Sequence, residues 1–352
     1  MSVTVRSFGQ LSTGEEISVY HLENRSGAYA EVLQYGAILM KLVVPDRDGV
    51  LRDVVLGYDE PAGYEKNGCF FGATIGRSGN RIEGARFMLE GREVHLPANE
   101  NGNNLHSGPD GFEKKLWTCA EKDEEDNSVT FFYNSPDNDH GFPGELRVNV
   151  KYEFTEENEL RITYQAIAEE ATVVNMTNHS YFNLAGEGSG DVLGQYLTIQ
   201  AENYTPVKDS ASIPTGEYAP VAGTPMDFRT AKTIGQDIEA DFEQLQFTGG
   251  FDHNYVTDHY ARGNRRRIAS AWCEETGIAM DVTTDCPCVQ FYAGNFIENE
   301  KGKNGHVYGK RHGFCLETQV EPNAVNVEGF HSPVLEAGEK YHSVTAYRFY
   351  IK

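Results

Sequence analysis

One texture recurs along this chain and restricts its fold more than anything else: short runs of β-branched, aromatic and leucine residues, each stopped within a few positions by glycine, asparagine or aspartate. Near the N-terminus the runs are 17–22, 28–33, 38–44 and 54–58, with Gly27, Gly36, Asp46 and Gly49 as punctuation. The same pattern returns at 129–133, 146–154, 160–168, 196–201, 278–284, 289–296 and 343–351. No segment holds a 3.6-residue apolar period for long, and residues 229–240, the best helical candidate, are few. A chain punctuated this way does not alternate strand and helix. It predicts an all-β fold, a large antiparallel sandwich with few short helices. With 36 glycines, 19 tyrosines and 19 phenylalanines spread over 352 residues, and no repeat, linker or shift in composition, a single domain over 1–352 is expected.

Charge narrows the partners. A formal net charge of −23 repels nucleic acid and anionic membrane surfaces, so a neutral small molecule suits the chain better. The first residues lack the basic start and apolar run of a secretory leader, and no stretch of eighteen apolar residues occurs. A cytoplasmic protein is expected, acting as a monomer or homodimer, with its six cysteines reduced. Only Cys286 and Cys288 are close together, in a C-x-C shorter than the common zinc spacings, so no metal is expected.

Several segments are too polar for ordinary strands. In residues 175–186, read as extended chain, His179, Tyr181 and Asn183 share one face and Asn178, Ser180 and Phe182 the other. An imidazole, a phenol and an amide in a row are costly to bury without partners. A polar ligand is one source of partners, and local Asx and Ser turns are another. Arg77 and Arg81 flank small residues and can form a fork for hydroxyl or carboxylate oxygens, or simply lie on a surface loop. Turn chemistry explains most of the asparagine-rich run 99–108 but leaves His106 over. Asp252 follows a glycine pair, where capping a turn is the usual use. In 286–292, Val289 and Phe291 face the core while Cys288, Gln290 and Tyr292 face away. In 313–319, Phe314 and Leu316 form the apolar face and leave Glu317 opposite, in need of a cross-sheet ion pair or a chemical role.

Taken together, Gly76-Arg77 with Asn80-Arg81-Ile82, Asn104-Leu105-His106, Asn178-His179-Ser180-Tyr181-Phe182-Asn183-Leu184, Phe251-Asp252-His253, Val289-Gln290-Phe291-Tyr292 with Gly294-Asn295, and Leu316-Glu317-Thr318-Gln319 resemble the aldose 1-epimerase, or galactose mutarotase, family, in order and over nearly the whole chain. The resemblance implies a galactose mutarotase-like sandwich with a sugar cleft across one sheet. It implies Glu317 as general base and His179 as general acid, with Asn80, Arg81, His106, Tyr181, Asp252 and Gln290 holding the sugar. The chain departs from the pattern at Cys286-Pro287-Cys288, where a small residue is commoner before Val289.

The implied chemistry is acid/base ring opening of an aldose: a proton leaves the C1 hydroxyl, another reaches the ring oxygen, the C1–C2 bond rotates, and the ring recloses. One base and one acid suffice, so no metal or organic cofactor is required. Glu317 and His179 are expected on opposite sides of a groove, with a bell-shaped rate profile whose acid limb belongs to Glu317 and alkaline limb to His179. Three readings compete with this one, the nearest being a hexose-phosphate epimerase, for which the sequence shows no added basic cluster. Asp252 and Glu317 would be the carboxyl pair of a glycoside hydrolase, or the chain would be a noncatalytic sugar-binding module.

Overall fold

The computed structural model describes residues 2–352. Its largest element is a nine-stranded antiparallel sheet in the order Thr118–Asp123, Ser128–Ser135, Leu146–Phe154, Glu159–Ala168, Lys340–Ile351, Ile278–Thr284, Arg266–Trp272, Tyr196–Ile199 and Lys232–Thr233. The strand Leu146–Phe154 shows why these residues make a one-sided sheet. Leu146, Val148, Val150, Tyr152 and Phe154 are fully buried, while Arg147, Asn149, Lys151 and Glu153 alternate with them on the open face. Its register with the next strand, Leu146 opposite Ala168 through Phe154 opposite Leu160, keeps every apolar residue on one side.

The facing layer is built from two smaller sheets. One holds the N-terminal strands Ser2–Gln10, Glu16–Glu23, Tyr29–Leu33, Ile38–Pro45 and Leu51–Asp53. The other has five strands in the order Ala219–Pro220, Asn203–Thr205, Asp252–Val256, Cys288–Tyr292 and Cys315–Gln319. Phe131, Val148, Ile162 and Tyr347 of the large sheet share one apolar cluster with Val32, Leu39 and Val44 of the N-terminal sheet and Val289, Phe291 and Leu316 of the other. Each such side chain contributes about 1.5–3 kcal/mol when buried, an upper bound for a compact denatured chain.

The predicted strands at 146–154 and 278–284 coincide with Leu146–Phe154 and Ile278–Thr284. Two expectations fail. Residues 54–58 form no strand; Val55 makes a single bridge to Phe182 and the segment is buried as connecting chain. Residues 229–240 are not a helix. Ile234 N–H donates to the Gln195 carbonyl at 2.9 Å and Gly235 N–H to that of Leu193 at 2.8 Å, so the segment spends its donors on the sheet edge rather than on itself. The α-helices among the described residues are Pro61–Lys66 and Glu243–Thr248, each six residues long. None of these residues forms a helix long and apolar enough to cross a membrane.

The core side of the five-stranded sheet fixes what its outer side displays. Asn254, Gln290 and Glu317 lie opposite one another across three strands, and Asp252 is opposite Tyr292. Because Val289, Phe291 and Leu316 are locked into the core, Asp252, Gln290, Tyr292 and Glu317 must point outward.

Candidate active site

Asp252, Gln290, Tyr292 and Glu317 form the floor of a cleft of about 280 Å³, whose walls include Cys69, Phe70, Asn80, Arg81, Glu100, His106, His179, Tyr181 and Phe296. His179 arrives from outside the five-stranded sheet. Its strand, Thr177–His179, pairs with Ala73–Ile75. Three residues on, Phe182 and Phe314 exchange backbone hydrogen bonds of 2.7 and 3.0 Å, which moors the segment beside the strand that carries Glu317.

His179 Nε2 lies 3.7 Å from Glu317 Oε1. Both side chains are buried, at 6% and 3% exposure, and Glu317 Oε2 has no hydrogen-bond partner. Burial, with the Asp252 carboxyl nearby, pushes the Glu317 pKa well above the usual carboxylate range despite the opposing Arg81 charge. Burial alone pushes His179 down to about 4. Each group resists charge, so between these limits the two together hold one proton. The imidazole is confined by a ring-stacking contact with Phe70 at 5.8 Å between centroids, by Tyr181 at 5.1 Å, and by Cys315 Sγ, 3.6 Å from Nδ1.

Arg81 and His106 come from a second pair of segments. Arg81–Ile82 pairs with Asn104–Leu105, which sets Asn80 and His106 side by side. The Asn80 backbone N–H donates to His106 Nδ1 at 3.0 Å, so the ring proton sits on Nε2. Burial, the neighbouring His179 and Arg81 all drive His106 well below the ordinary histidine pKa, leaving it a neutral donor. Asn80 and His106 both adopt positive φ, 57° and 54°, a conformation asparagine accepts more readily than most residues. The Arg81 guanidinium is clamped by both oxygens of Glu100, at 3.0 and 2.8 Å. On the floor, Gln290 Nε2 donates to Asp252 Oδ1 at 2.7 Å, and burial raises the Asp252 pKa.

All eight residues singled out from the sequence, Asn80, Arg81, His106, His179, Tyr181, Asp252, Gln290 and Glu317, border this one cleft. Three details differ from expectation. Glu317 on the floor and His179 on the adjoining wall stand 3.7 Å apart rather than on opposite sides of a groove. Arg77 does not form a fork with Arg81; it is buried at 1% exposure and its guanidinium donates to the carbonyls of Ser135, Pro136 and Pro143 and the hydroxyls of Ser135 and Thr172. Asn183 leaves the His179 face, because the strand ends at His179 and the Asn183 amide is spent on the carbonyls of Gly190 and His312.

Phe70, Glu100 and Phe296 escaped the sequence reading. Glu100 stood inside the asparagine-rich run, but only the fold shows it facing Arg81. Phe70 and Phe296 carried no local signal among 19 phenylalanines. The ligand atoms of His106, His179 and Glu317 lie within 4.8 Å of one another, a donor set able to take a divalent ion, and the same is true of Cys288, Glu321 and His331. Neither group has a spacing that a linear motif would reveal.

A family model described as aldose 1-epimerase matches residues 18–348. The chain is 42% identical over 351 residues to the galactose mutarotase of Rattus norvegicus, covering 99% of both chains. It is 37% identical over 339 residues to the aldose 1-epimerase of Escherichia coli (strain K12), covering 96% of both. Its fold matches the crystal structure of a galactose 1-epimerase from Lactobacillus acidophilus NCFM with a TM-score of 0.85 at 28% identity, covering 99% of each chain. The architecture is thus that of the galactose mutarotase-like sandwiches. The chain belongs to the aldose 1-epimerase family, and it is an isomerase that interconverts the anomers of aldoses.

Proposed function

We propose that Glu317 is the general base and His179 the general acid of this reaction, acting on free aldohexoses such as glucose and galactose. The observation that carries the proposal is the 3.7 Å separation of His179 Nε2 and Glu317 Oε1 in a cleft where Glu317 Oε2 has no partner. A hemiacetal presents its hydroxyl and ring oxygens on the same carbon, so the groups that serve them must stand close together. Neighbouring groups on the floor and the adjoining wall suit this better than groups on opposite walls.

The proton inventory follows from the burial of both groups. Burial rests the pair's one proton on Glu317, so the reacting form is the minor tautomer with that proton moved to His179, in which the Glu317 carboxylate takes the proton of the C1 hydroxyl while His179 gives its own to the ring oxygen. The pair ends with one proton, now on Glu317, and the ring is open to the aldehyde. After rotation about C1–C2 the same proton returns by the reverse path and the other anomer closes. Each positioned transfer is worth about 10²–10⁴-fold. His106, a neutral Nε2–H donor, and Arg81 stabilise charge building on the sugar oxygens. Asp252 with Gln290, Asn80 and Tyr181 orient the remaining hydroxyls.

The arrangement disfavours glycoside hydrolysis, because Asp252 is hydrogen-bonded by Gln290 and Glu317 has the His179 imidazole 3.7 Å away. One domain of 352 residues, carrying a formal charge of −23 and working in the cytoplasm on a free sugar as monomer or homodimer, is consistent with these features. The test is polarimetry on freshly dissolved α-glucose and α-galactose. Catalysed decay toward equilibrium is expected with the wild-type chain and near-spontaneous decay with Glu317→Gln. Undiminished catalysis by that variant rejects the assignment, and release of reducing sugar from a glycoside revives the hydrolase reading.

A further inference from the structure

Four residues beyond Glu317, past the end of its strand, Glu321 is fully buried within a second group of metal-ligating side chains. Cys288 Sγ, a Glu321 carboxylate oxygen and a His331 ring nitrogen lie within 4.8 Å of one another. The elements that bring them together are unrelated in sequence. Cys288 opens the strand Cys288–Tyr292 on its outward face, opposite Gln319, while His331 lies in connecting chain just before the strand Val334–Leu335. His331 Nδ1 is 2.9 Å from Glu321 Oε1, its backbone N–H donates to Glu321 Oε2 at 3.1 Å, and the Tyr218 hydroxyl donates to Glu321 Oε1 at 2.6 Å. An open cavity of about 380 Å³ adjoins the group, bordered by His331, Cys286, Pro287 and Asn175. The His331 side chain is 36% exposed, which gives an ion a way in.

We propose that Cys288, Glu321 and His331 form a binding site for a divalent d-block cation, zinc being the best match, separate from the sugar cleft. One thiolate, one imidazole and one carboxylate are the mixed soft and hard donors that zinc accepts. Zinc bonds of about 2.0–2.3 Å set donors about 3.3–3.7 Å apart in a tetrahedron, so His331 Nδ1 and Glu321 Oε1, 2.9 Å apart, separate slightly as an ion enters while Cys288 Sγ, within 4.8 Å of them, closes on it. The Tyr218 oxygen and water from the cavity are at hand to complete a tetrahedron. Binding displaces the Cys288 thiol proton and the proton shared by His331 and Glu321, and both leave to solvent. The proposal is independent of the roles assigned to Glu317 and His179.

Cadmium titrated into the full chain tests it, because a cadmium–thiolate bond gives an ultraviolet charge-transfer absorption that carboxylate and imidazole ligands do not. One equivalent of this absorption is expected, displaceable by zinc, absent in Cys288→Ser and unchanged by saturating galactose. In His331→Ala the titration midpoint should rise by at least about tenfold. Persistence of the absorption in Cys288→Ser, or its absence in the wild type, overturns the proposal. Loss of the absorption on adding galactose also overturns it, since that outcome puts the ion at His106, His179 and Glu317 beside Cys315. Should Cys288→Ser fail to fold, His331→Ala decides, because its partly exposed side chain can be removed without opening the core; an unchanged midpoint there rejects the site. Polarimetry of metal-free His331→Ala, expected to match wild type, keeps this test apart from that of the sugar cleft.

Discussion

Glu317 and Glu321 sit four positions apart, both buried and each beside a histidine, yet the fold leaves them in opposite electrostatic states. Glu317 has one imidazole at 3.7 Å and an oxygen with no partner, and burial beside Asp252 lifts its pKa well above the usual range. Glu321 receives the Tyr218 hydroxyl at 2.6 Å, the His331 ring at 2.9 Å and the His331 backbone N–H at 3.1 Å. Burial works against its charge too, but these hydrogen bonds outweigh it and hold the carboxylate below its ordinary pKa. Residue type and burial therefore do not by themselves set the charge of a carboxylate. What distinguishes the two is how many donors the fold supplies, since an ionised carboxylate with a full set of partners has little reason to take a proton.

The largest expected effect separates the two sites directly. Glu317→Gln should lower kcat by about 10²–10⁴-fold while galactose binding stays measurable, as should His179→Asn. Glu321→Gln, the same change four residues on, should leave kcat near wild type by polarimetry. Equal losses at both positions would erase the distinction.

Next comes the pH profile. With one proton needed on the Glu317–His179 pair, the rate should fall at low pH as a second proton binds, near the His179 value of about 4. It should fall again at high pH as the last proton leaves, above the usual glutamate range because burial raises Glu317. The shifts thus point the acid limb toward His179 and the alkaline limb toward Glu317, the reverse of the sequence expectation, although both limbs belong to the pair. A profile with no alkaline fall, or an acid limb that survives unmoved in the residual activity of His179→Asn, would contradict the shared proton.

Stability sharpens the contrast from the other side. Glu321→Gln leaves His331 and Tyr218 with a poorer acceptor and should cost about 1–3 kcal/mol in urea unfolding, whereas Glu317→Gln removes a poorly satisfied carboxylate and should cost less or stabilise the fold. The smallest effect is expected at Glu100→Gln. Loss of the two-oxygen clamp on Arg81 should raise KM a few-fold with kcat little changed, and an equal fall in kcat would mean that Arg81 acts mainly on the transition state.

How much of this was legible in the chain depends on the range of the interaction. Alternation along 146–154 fixed which side chains are buried, and alternation along 286–292 and 313–319 set Gln290 and Glu317 outward before any partner strand was known. The helical candidate at 229–240 failed because the deciding bonds run to Leu193 and Gln195, in the chain just before the strand Tyr196–Ile199. Arg77 and Arg81 look alike in sequence. One is consumed by carbonyls at 135–143 and the other by Glu100, and neither destination is local.

By itself the sequence determined the β architecture, the outward row on the central strands and the membership of His106, His179 and Glu317 in a single polar set, because side-chain direction follows from a two-residue period and the motifs are written in order. Only the tertiary structure decided that Glu317 and His179 stand side by side, that Glu100 clamps Arg81, and that Cys288, Glu321 and His331 converge at the end of the same sheet. Those facts rest on distances between residues up to 138 positions apart, from His179 to Glu317, and on desolvation, which depends on everything packed around a group rather than on its neighbours in the chain.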